Sequence, residues 1–217
     1  MSRGSAVVVR VVPVWLRRLV RHEFALWASL LRWMARRGPH GVRAGDTAAG
    51  YARGQAVIMF GFLFASVVET VVLALIIPWP LVHLIALGLG LWGIWFVLAL
   101  HASCVVRPHV IEADGSLRVR YGALIDIRIP EELIATVRRE RRHPDGSLLT
   151  VDDGGAANLA VSGETSVTVE LTEPVAIVRP LGRVERCRVV RFYAEDPRAV
   201  MAAIAAAAPP PEERASA

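Results

Sequence analysis

Among the residues whose chemistry could serve a reaction, Glu69 has the most unusual setting, because it interrupts an apolar stretch at residues 56–77. A carboxylate at the centre of a membrane span costs about 2.5–3.5 kcal/mol, and it serves either in a proton relay or in holding helices together. The fourteen Leu, Ile, Val and Phe residues around it offset that cost at about −0.3 to −0.6 kcal/mol each. We expect Glu69 to lie between two spans, level with residues 88–90, protonated and hydrogen-bonded across the contact. The alternative is a small transport-associated or proton-handling subunit that uses Glu69.

The other reactive side chains form no recognisable catalytic or metal-binding set. The six histidines lie at positions 22, 40, 83, 101, 109 and 143, and no two have the i, i+4 spacing of a helical metal site. The sequence DDGG at residues 152–155 lacks the alternating ligands of a calcium loop and predicts a turn. No nucleophile elbow, phosphate loop or dinucleotide fingerprint occurs. The sequence therefore predicts a protein that is not an enzyme and that has no metal or cofactor.

Arginine supplies all 25 basic residues, and its distribution predicts a topology. Ten arginines precede residue 55, none lies within residues 55–106 and fifteen follow. By the positive-inside rule, both chain ends are then cytoplasmic. Two groups are candidates for contact with anionic lipid: Arg17, Arg18, Arg21, Arg32 and Arg36, and later Arg138, Arg139, Arg141 and Arg142. For the second group the alternative is a charged edge strand, in which arginine prevents edge-to-edge pairing.

Two long apolar segments must position these groups relative to a membrane. Residues 55–106 are predicted to form a transmembrane hairpin with spans at about 55–77 and 81–106, each long enough to cross a hydrocarbon core of about 30 Å. The sequence PWP at residues 78–80 ends one helix, supplies an interfacial tryptophan and begins the next helix. A connection this short makes the two helices antiparallel neighbours that turn on the outer side of the membrane.

Residues 1–40 are predicted to carry an amphipathic interfacial helix. Between residues 14 and 36, tryptophans, leucines and Phe24 share one half of the helical wheel, and most arginines share the other. We expect this helix to lie flat on the anionic inner leaflet. The alternative is that its apolar half packs on the spans or on the following domain. Residues 41–54 are rich in small and turn-forming residues and are predicted to be a linker.

After residue 106 the apolar periodicity changes from helical to alternating. Short strands are predicted at residues 109–112, 117–121, 124–129, 134–139, 148–151, 166–171, 176–180 and 186–193, with a loop at 152–163. Asp196-Pro197 then caps and opens a last helix, and residues 209–217 are predicted to be a disordered tail. The predicted fold class is therefore membrane α+β, with a small antiparallel β-sandwich or barrel at residues 107–208 that is closed by the C-terminal helix.

Three short motifs in this region support a family resemblance. The sequence LRVRYG at residues 117–122, the pair Ile129-Pro130, and Ile134 with Val137 match a pattern of L-x-V-R-x-G, I-P and an apolar pair. In these motifs the chain resembles uncharacterised bacterial membrane proteins of actinobacterial type, in which a PH-like domain stands beside a transmembrane hairpin. The resemblance implies a PH-like fold for residues 107–208 and a location in the bacterial plasma membrane. It implies no particular activity.

Charge and composition narrow the expected partners. The net charge is +5, and in a membrane-anchored chain the anionic inner leaflet is the nearest partner. Basic and aromatic residues do not interleave as they do in nucleic-acid binders, so no nucleic-acid partner is predicted. We expect a non-enzymatic integral membrane protein that presents a PH-like domain at the cytoplasmic face for protein or lipid interaction. The identity of a protein partner and homo-oligomerisation stay open.

Overall fold

The computed structural model describes residues 14–145, 147–152, 154–179 and 183–207. Its two longest helices are α2 (Arg53–Ile76) and α3 (Pro80–Val106), which by length and composition are each able to cross a membrane. Ile77 is extended and Pro80 opens α3, so the PWP sequence separates the helices as predicted. Most of their large apolar side chains are not covered by protein, which is consistent with association with a membrane.

The contact between α2 and α3 uses Thr70 rather than Glu69. Thr70 is buried, and a Cβ placed on Gly90 would collide with its side chain, so the two backbones approach closely here. Glu69 is exposed on α2, and no hydrogen bond or ion pair joins it to another described residue. The predicted depth is right, but the predicted orientation of Glu69 is wrong. Successive residues of an α-helix point about 100° apart, so a helix that turns Thr70 into the contact turns Glu69 out of it.

The predicted N-terminal helix is present as α1 (Val14–Met34), which packs on the second half of α3. Leu26 and Leu30 are buried in a small cluster with Ala99 and Ala102. Other large apolar side chains of α1 stay uncovered: Leu19, Val20, Phe24, Leu31 and Met34. The alternative prediction, that the apolar half of α1 packs on a span, therefore holds for one stripe of α1. The apolar surface of α1 is wider than the stripe that α3 covers.

A four-stranded antiparallel sheet begins before the helical hairpin and resumes after it. Its strands in order are β1 (Thr47–Ala49), β2 (His109–Ile111), β3 (Leu117–Tyr121) and β4 (Ile125–Ile129). Strand β3 has the predicted bounds. Strand β1 lies within residues 41–54, so the prediction of a linker there is wrong for these three residues: Thr47 pairs with Ile111 and Ala49 pairs with His109. Three residues are too short for a period-2 pattern to stand out, and β1 is specified by its partner strand.

A single 3₁₀ turn at Glu131–Leu133 leads into a second sheet of five strands, in the order β5-β8-β9-β7-β6. The strands are β5 (Ile134–Arg142), β6 (Leu149–Val151), β7 (Ala156–Leu159), β8 (Thr165–Val178) and β9 (Val184–Phe192). Neighbouring strands are antiparallel except β7 and β9, which are parallel. The sheet is therefore mixed, where the sequence predicted an antiparallel one.

Two strand predictions in this sheet are wrong. The strands predicted at residues 166–171 and 176–180 are one strand, β8, whose pairing with β9 shifts register between Glu170 and Val175. The loop predicted at residues 152–163 contains β7, all four residues of which are buried. A strand buried on both faces has no polar alternation, so its pattern did not distinguish it from a loop of small residues.

Both sheets and the last helix contribute to one hydrophobic core. Fully buried members from the two sheets include Val119, Ile129, Val167, Val190 and Phe192. The helix α4 (Pro197–Ala207) adds Val200 and Ile204. Asp196 Oδ1 accepts the backbone N–H groups of Arg198 and Ala199 at 3.0 Å each, so the predicted cap is confirmed. Below, the two sheets and α4 are called the β domain.

Candidate functional site

Tyr51 ties the open end of the helical hairpin, where α2 begins and α3 ends, to the β domain. It lies two residues before the first residue of α2, is fully buried, and its hydroxyl accepts the N–H of Gly122 at 2.6 Å. The same hydroxyl donates to the carbonyl oxygen of Arg107, the residue after α3, at 3.2 Å. Burial raises the pKa of Tyr51 well above its ordinary value, so the phenol stays protonated and able to donate. One side chain thus joins the entrance of α2, the exit of α3 and the turn between β3 and β4.

A second buried phenol makes a similar link one turn further along α2. The hydroxyl of Tyr121 donates to Oε1 of Gln55 at 2.8 Å, and burial raises the pKa of Tyr121. Gln55 is itself buried, and its Nε2 has no hydrogen-bond partner among the described residues. The buried thiol of Cys104 interacts with both Gln55 and Tyr121, so the bond between the phenol and the amide belongs to a buried polar cluster.

His109 lies among the residues that join the helical hairpin to the β domain, and it is fully buried. Its Nδ1 accepts the backbone N–H of Arg120 at 3.0 Å, which leaves Nε2 as the donor to the carbonyl oxygen of Tyr193 at 2.9 Å. Burial lowers the pKa of His109 to about 4. The imidazole is therefore neutral at ordinary pH, with both nitrogens engaged by the backbone. This arrangement is suited to holding β2 in place rather than to transferring protons.

Arg107 occupies the space between α1 and the β domain. Its Nε donates to Oγ of Ser29 at 3.2 Å, and Ser29 in turn donates to the carbonyl oxygen of Ala25 at 2.6 Å. Burial lowers the pKa of Arg107 from its ordinary value, although an arginine stays charged. No carboxylate lies within ion-pair distance of its guanidinium in the described part of the chain.

One cleft beside Arg107, called the arginine cleft below, has a volume of about 610 Å³. Its basic lining residues are Arg32, Arg37, His40 and Arg107. The rest of its lining is mainly apolar: Ala28, Leu31, Ala35 and Val106, with Ser29. The backbone of His40 is held by two bonds, from its N–H to the carbonyl oxygen of Val106 at 2.7 Å and from Nη1 of Arg120 to its own carbonyl oxygen at 2.9 Å. The lining of the cleft therefore combines basic side chains with apolar surface, and hydrogen bonds hold the backbone of His40 in place beside it.

A second cleft, of about 480 Å³, shares Arg107 and His40 but contains an acid, Asp126. Asp126 is already bound by Arg118, whose Nε and Nη2 lie 2.7 and 2.6 Å from its two oxygens. A bidentate pair of this kind is the strong form of an arginine–carboxylate interaction. The second cleft therefore contains an acid that offsets part of its charge, whereas no acid lines the arginine cleft.

The arginines at residues 138–142, which were candidates for contact with anionic lipid, lie on β5, an edge strand of the five-stranded sheet. Three of them have carboxylate partners: Arg138 with Glu170 at 2.8 Å, Arg141 with Glu164 at 2.7 Å and Arg142 with Glu140 at 2.6 Å. The last pair holds the pKa of Glu140 at about 2. Arg139 is exposed and has no ion pair within the described ranges. This geometry is that of the charged edge strand, and it leaves little free charge for lipid.

The arginines predicted to face lipid on α1 differ from one another. Three are exposed in or just after the helix: Arg17, Arg21 and Arg36. Arg32 turns back on the chain, where its Nε donates to the carbonyl oxygen of Gly38 at 2.7 Å, and the side chain of Arg18 lies outside the described residues. Arg37 and Arg107 were not among the arginines predicted to face lipid. The position of Arg107 directly after an apolar span was a signal for it, since arginines collect there.

No group of three or more His, Cys, Asp or Glu side chains able to hold a metal ion occurs among the residues that the structure describes. Cys104 and Cys187 are both buried and unpaired. Comparison with models of known protein families, with curated proteins and with solved structures finds no match to this chain. A function for the chain therefore rests on its own geometry.

Proposed function

We propose that the chain is a non-enzymatic integral membrane protein that holds a PH-like domain against the cytoplasmic face of a bacterial plasma membrane, for interaction with lipid or protein. The hairpin of α2 and α3 is the anchor. The β domain is the interacting part, and it includes β1 in addition to residues 107–207.

The observation that carries this proposal is the pairing of β1 with β2 across the hairpin. Strand β1 ends four residues before α2, and β2 begins three residues after α3. Ala49 and His109 are partners in the ladder, so the first sheet is complete only when the two helix ends lie side by side. Both helices then leave the domain on one side of it, which is the geometry of a hairpin entering a membrane from the face where the domain lies.

The surface of the β domain supports recognition through polar groups. Among its described residues, the large apolar side chains that are exposed are Val178, the last residue of β8, and Val184, the first residue of β9. By contrast, uncovered apolar side chains are frequent on α1, α2 and α3. A partner that reached the β domain from the cytoplasm would therefore meet mainly charged and polar atoms, which favours an anionic lipid surface or a polar protein surface.

Thiol labelling in intact bacterial cells tests the anchoring and the topology. Trp79 is 66% exposed in the turn between α2 and α3, and Arg139 is exposed on β5. We expect Trp79→Cys to react with a membrane-impermeant maleimide from outside, and Arg139→Cys to react only after lysis. The background should be low because Cys104 and Cys187 are each 1% exposed. Labelling of Arg139→Cys in intact cells would contradict the proposed topology.

Purification of the full chain in a mild detergent tests the interaction itself. A stoichiometric protein partner or retained anionic lipid would support the proposed module. A pore-forming assembly would instead support the alternative of a transport or proton-handling subunit. That alternative has Glu69 as its only feature, and Glu69 lies outside the contact between α2 and α3.

A further inference from the structure

The arginine cleft gathers positive charge and has no acid in its own lining, although Asp126 of the neighbouring cleft acts electrostatically on Arg107. Arg32, Arg37 and Arg107 line it, and none of the three forms an ion pair with a described carboxylate. The arginines on β5 show the contrast, since Arg138 and Arg141 each have a glutamate within 2.8 Å. Like charges gathered around one cleft repel one another, and an anion bound between them would relieve that repulsion.

The guanidinium of Arg107 is oriented for such a ligand. The hydroxyl hydrogen of Ser29 is used on the carbonyl oxygen of Ala25, so its oxygen is free to accept from Nε of Arg107. This contact holds one edge of the guanidinium, and its two Nη groups have no hydrogen-bond acceptor among the described residues. Arginine binds phosphate through paired N–H groups of this kind.

The pKa of His40 is affected by positive charges around the same cleft. Burial lowers the pKa of the His40 imidazole, and Arg107, Arg32, Arg120 and Arg118 lower it further. The charged form of the His40 imidazole is thus disfavoured beside these arginines. When neutral, it can still donate one hydrogen bond to an anion.

The remainder of the lining indicates what kind of anion fits. Leu31 is 60% exposed where it borders the cleft, and Met34, one turn further along α1, is 67% exposed. A free inorganic anion gains nothing from this apolar surface, whereas an anion attached to acyl chains does. The cleft also includes Val106, the last residue of α3.

We propose that the arginine cleft binds the headgroup phosphate of an anionic glycerophospholipid, with the acyl chains lying along the uncovered apolar side of α1. This assignment rests on the proposed function, because Val106 lies at headgroup depth only if α3 spans the membrane. Arg107 and Arg37 contact the phosphate, and Arg32 supports the turn at residues 38–39 that forms the rim. Helix α1 is thereby fixed to the inner leaflet by a specific lipid in addition to its apolar surface.

Native mass spectrometry of the detergent-purified full chain, titrated with phosphatidylglycerol or phosphatidylcholine, tests the assignment. We expect one phosphatidylglycerol to bind more tightly than phosphatidylcholine. Arg37→Gln should weaken phosphatidylglycerol binding about fivefold, from the usual contribution of one arginine at an anionic surface. Its side chain makes no hydrogen bond to a described residue, so the fold should not change. Arg188→Gln is the matched control, with the same loss of an exposed charge on β9, outside both groups of candidate lipid-facing arginines, and no expected effect.

Several outcomes would overturn the assignment. These are equal binding of the two lipids, equal effects of Arg37→Gln and Arg188→Gln, or displacement of phosphatidylglycerol by inorganic phosphate, which would make a soluble phosphate the ligand. Arg107→Gln should weaken binding at least as much as Arg37→Gln, and if it fails to fold, the result for Arg37→Gln decides. Thiol labelling is independent of this site. Correct labelling without lipid preference would remove the lipid site and leave the anchored module intact.

Discussion

Acid should destabilise this protein through His109. The ring is fully buried and neutral, and burial lowers its pKa from 6.5 to about 4. In the unfolded chain the same group titrates near its ordinary value. The unfolded state therefore binds more protons than the folded state between these two pKa values, so stability falls as the pH is lowered through that window.

The size of the effect follows from the two pKa values. Each pKa unit corresponds to about 1.4 kcal/mol, so the difference between 6.5 and about 4 amounts to about 3 kcal/mol in full. Between pH 7 and pH 5 the share lost is about 2 kcal/mol. His109→Gln replaces the ring with a neutral amide that is still able to donate to the carbonyl oxygen of Tyr193. We expect this variant to be less stable than the natural chain at pH 7 and less sensitive to acid.

Urea unfolding of the full chain in detergent, followed by circular dichroism, measures this difference at several pH values. The informative quantity is the change in the free energy of unfolding from pH 7 to pH 5, compared between the natural chain and His109→Gln. Carboxylates titrate equally in both proteins and cancel in the comparison. If the two proteins lost the same stability on acidification, the burial of a neutral His109 would be refuted.

Gly90→Leu should separate α2 from α3, because the new side chain collides with the one facing it, and overpacking costs about 1–3 kcal/mol. Thermal unfolding in detergent should show that loss, whereas Glu69→Leu, outside the contact, should leave the melting temperature unchanged or raise it. A larger loss for Glu69→Leu than for Gly90→Leu would contradict the packing. Tyr121→Phe removes the hydroxyl that donates to Oε1 of Gln55, and it should cost about 1–3 kcal/mol by the same assay. Tyr193→Phe is its control, since that hydroxyl has no hydrogen bond to a described residue, and equal losses for both variants would refute the role of the buried pair.

Features that depend only on residues close to one another in the sequence could be predicted from it. The hairpin is one, because an apolar run of sufficient length and a Pro-Trp-Pro turn specify two helices whatever surrounds them. Strand β3 is another, since alternating residues over Leu117–Tyr121 between two glycine-containing turns specify its bounds. The cap at Asp196 is a third, because its bonds reach only two and three residues along the chain.

Other features were decided only by tertiary packing. Strand β1 exists because it pairs with β2, about sixty residues away, and β7 exists because it fills the place between β9 and β6. The same is true of charge: strand pairing brought Glu170 to Arg138 and Glu164 to Arg141, whereas Arg107 has no carboxylate within ion-pair distance among the described residues.

The orientation of Glu69 shows the physical reason most clearly. The sequence by itself determined that α2 is a long apolar helix and how deep Glu69 lies along it, because helical rise is a local quantity. Which side of α2 meets α3 depends on where the two surfaces fit most closely, and Thr70 against Gly90 fits where Glu69 would not. The carboxylate therefore points about 100° away from the contact. Only the packing of the two helices decides which of the two residues, Glu69 or Thr70, faces α3.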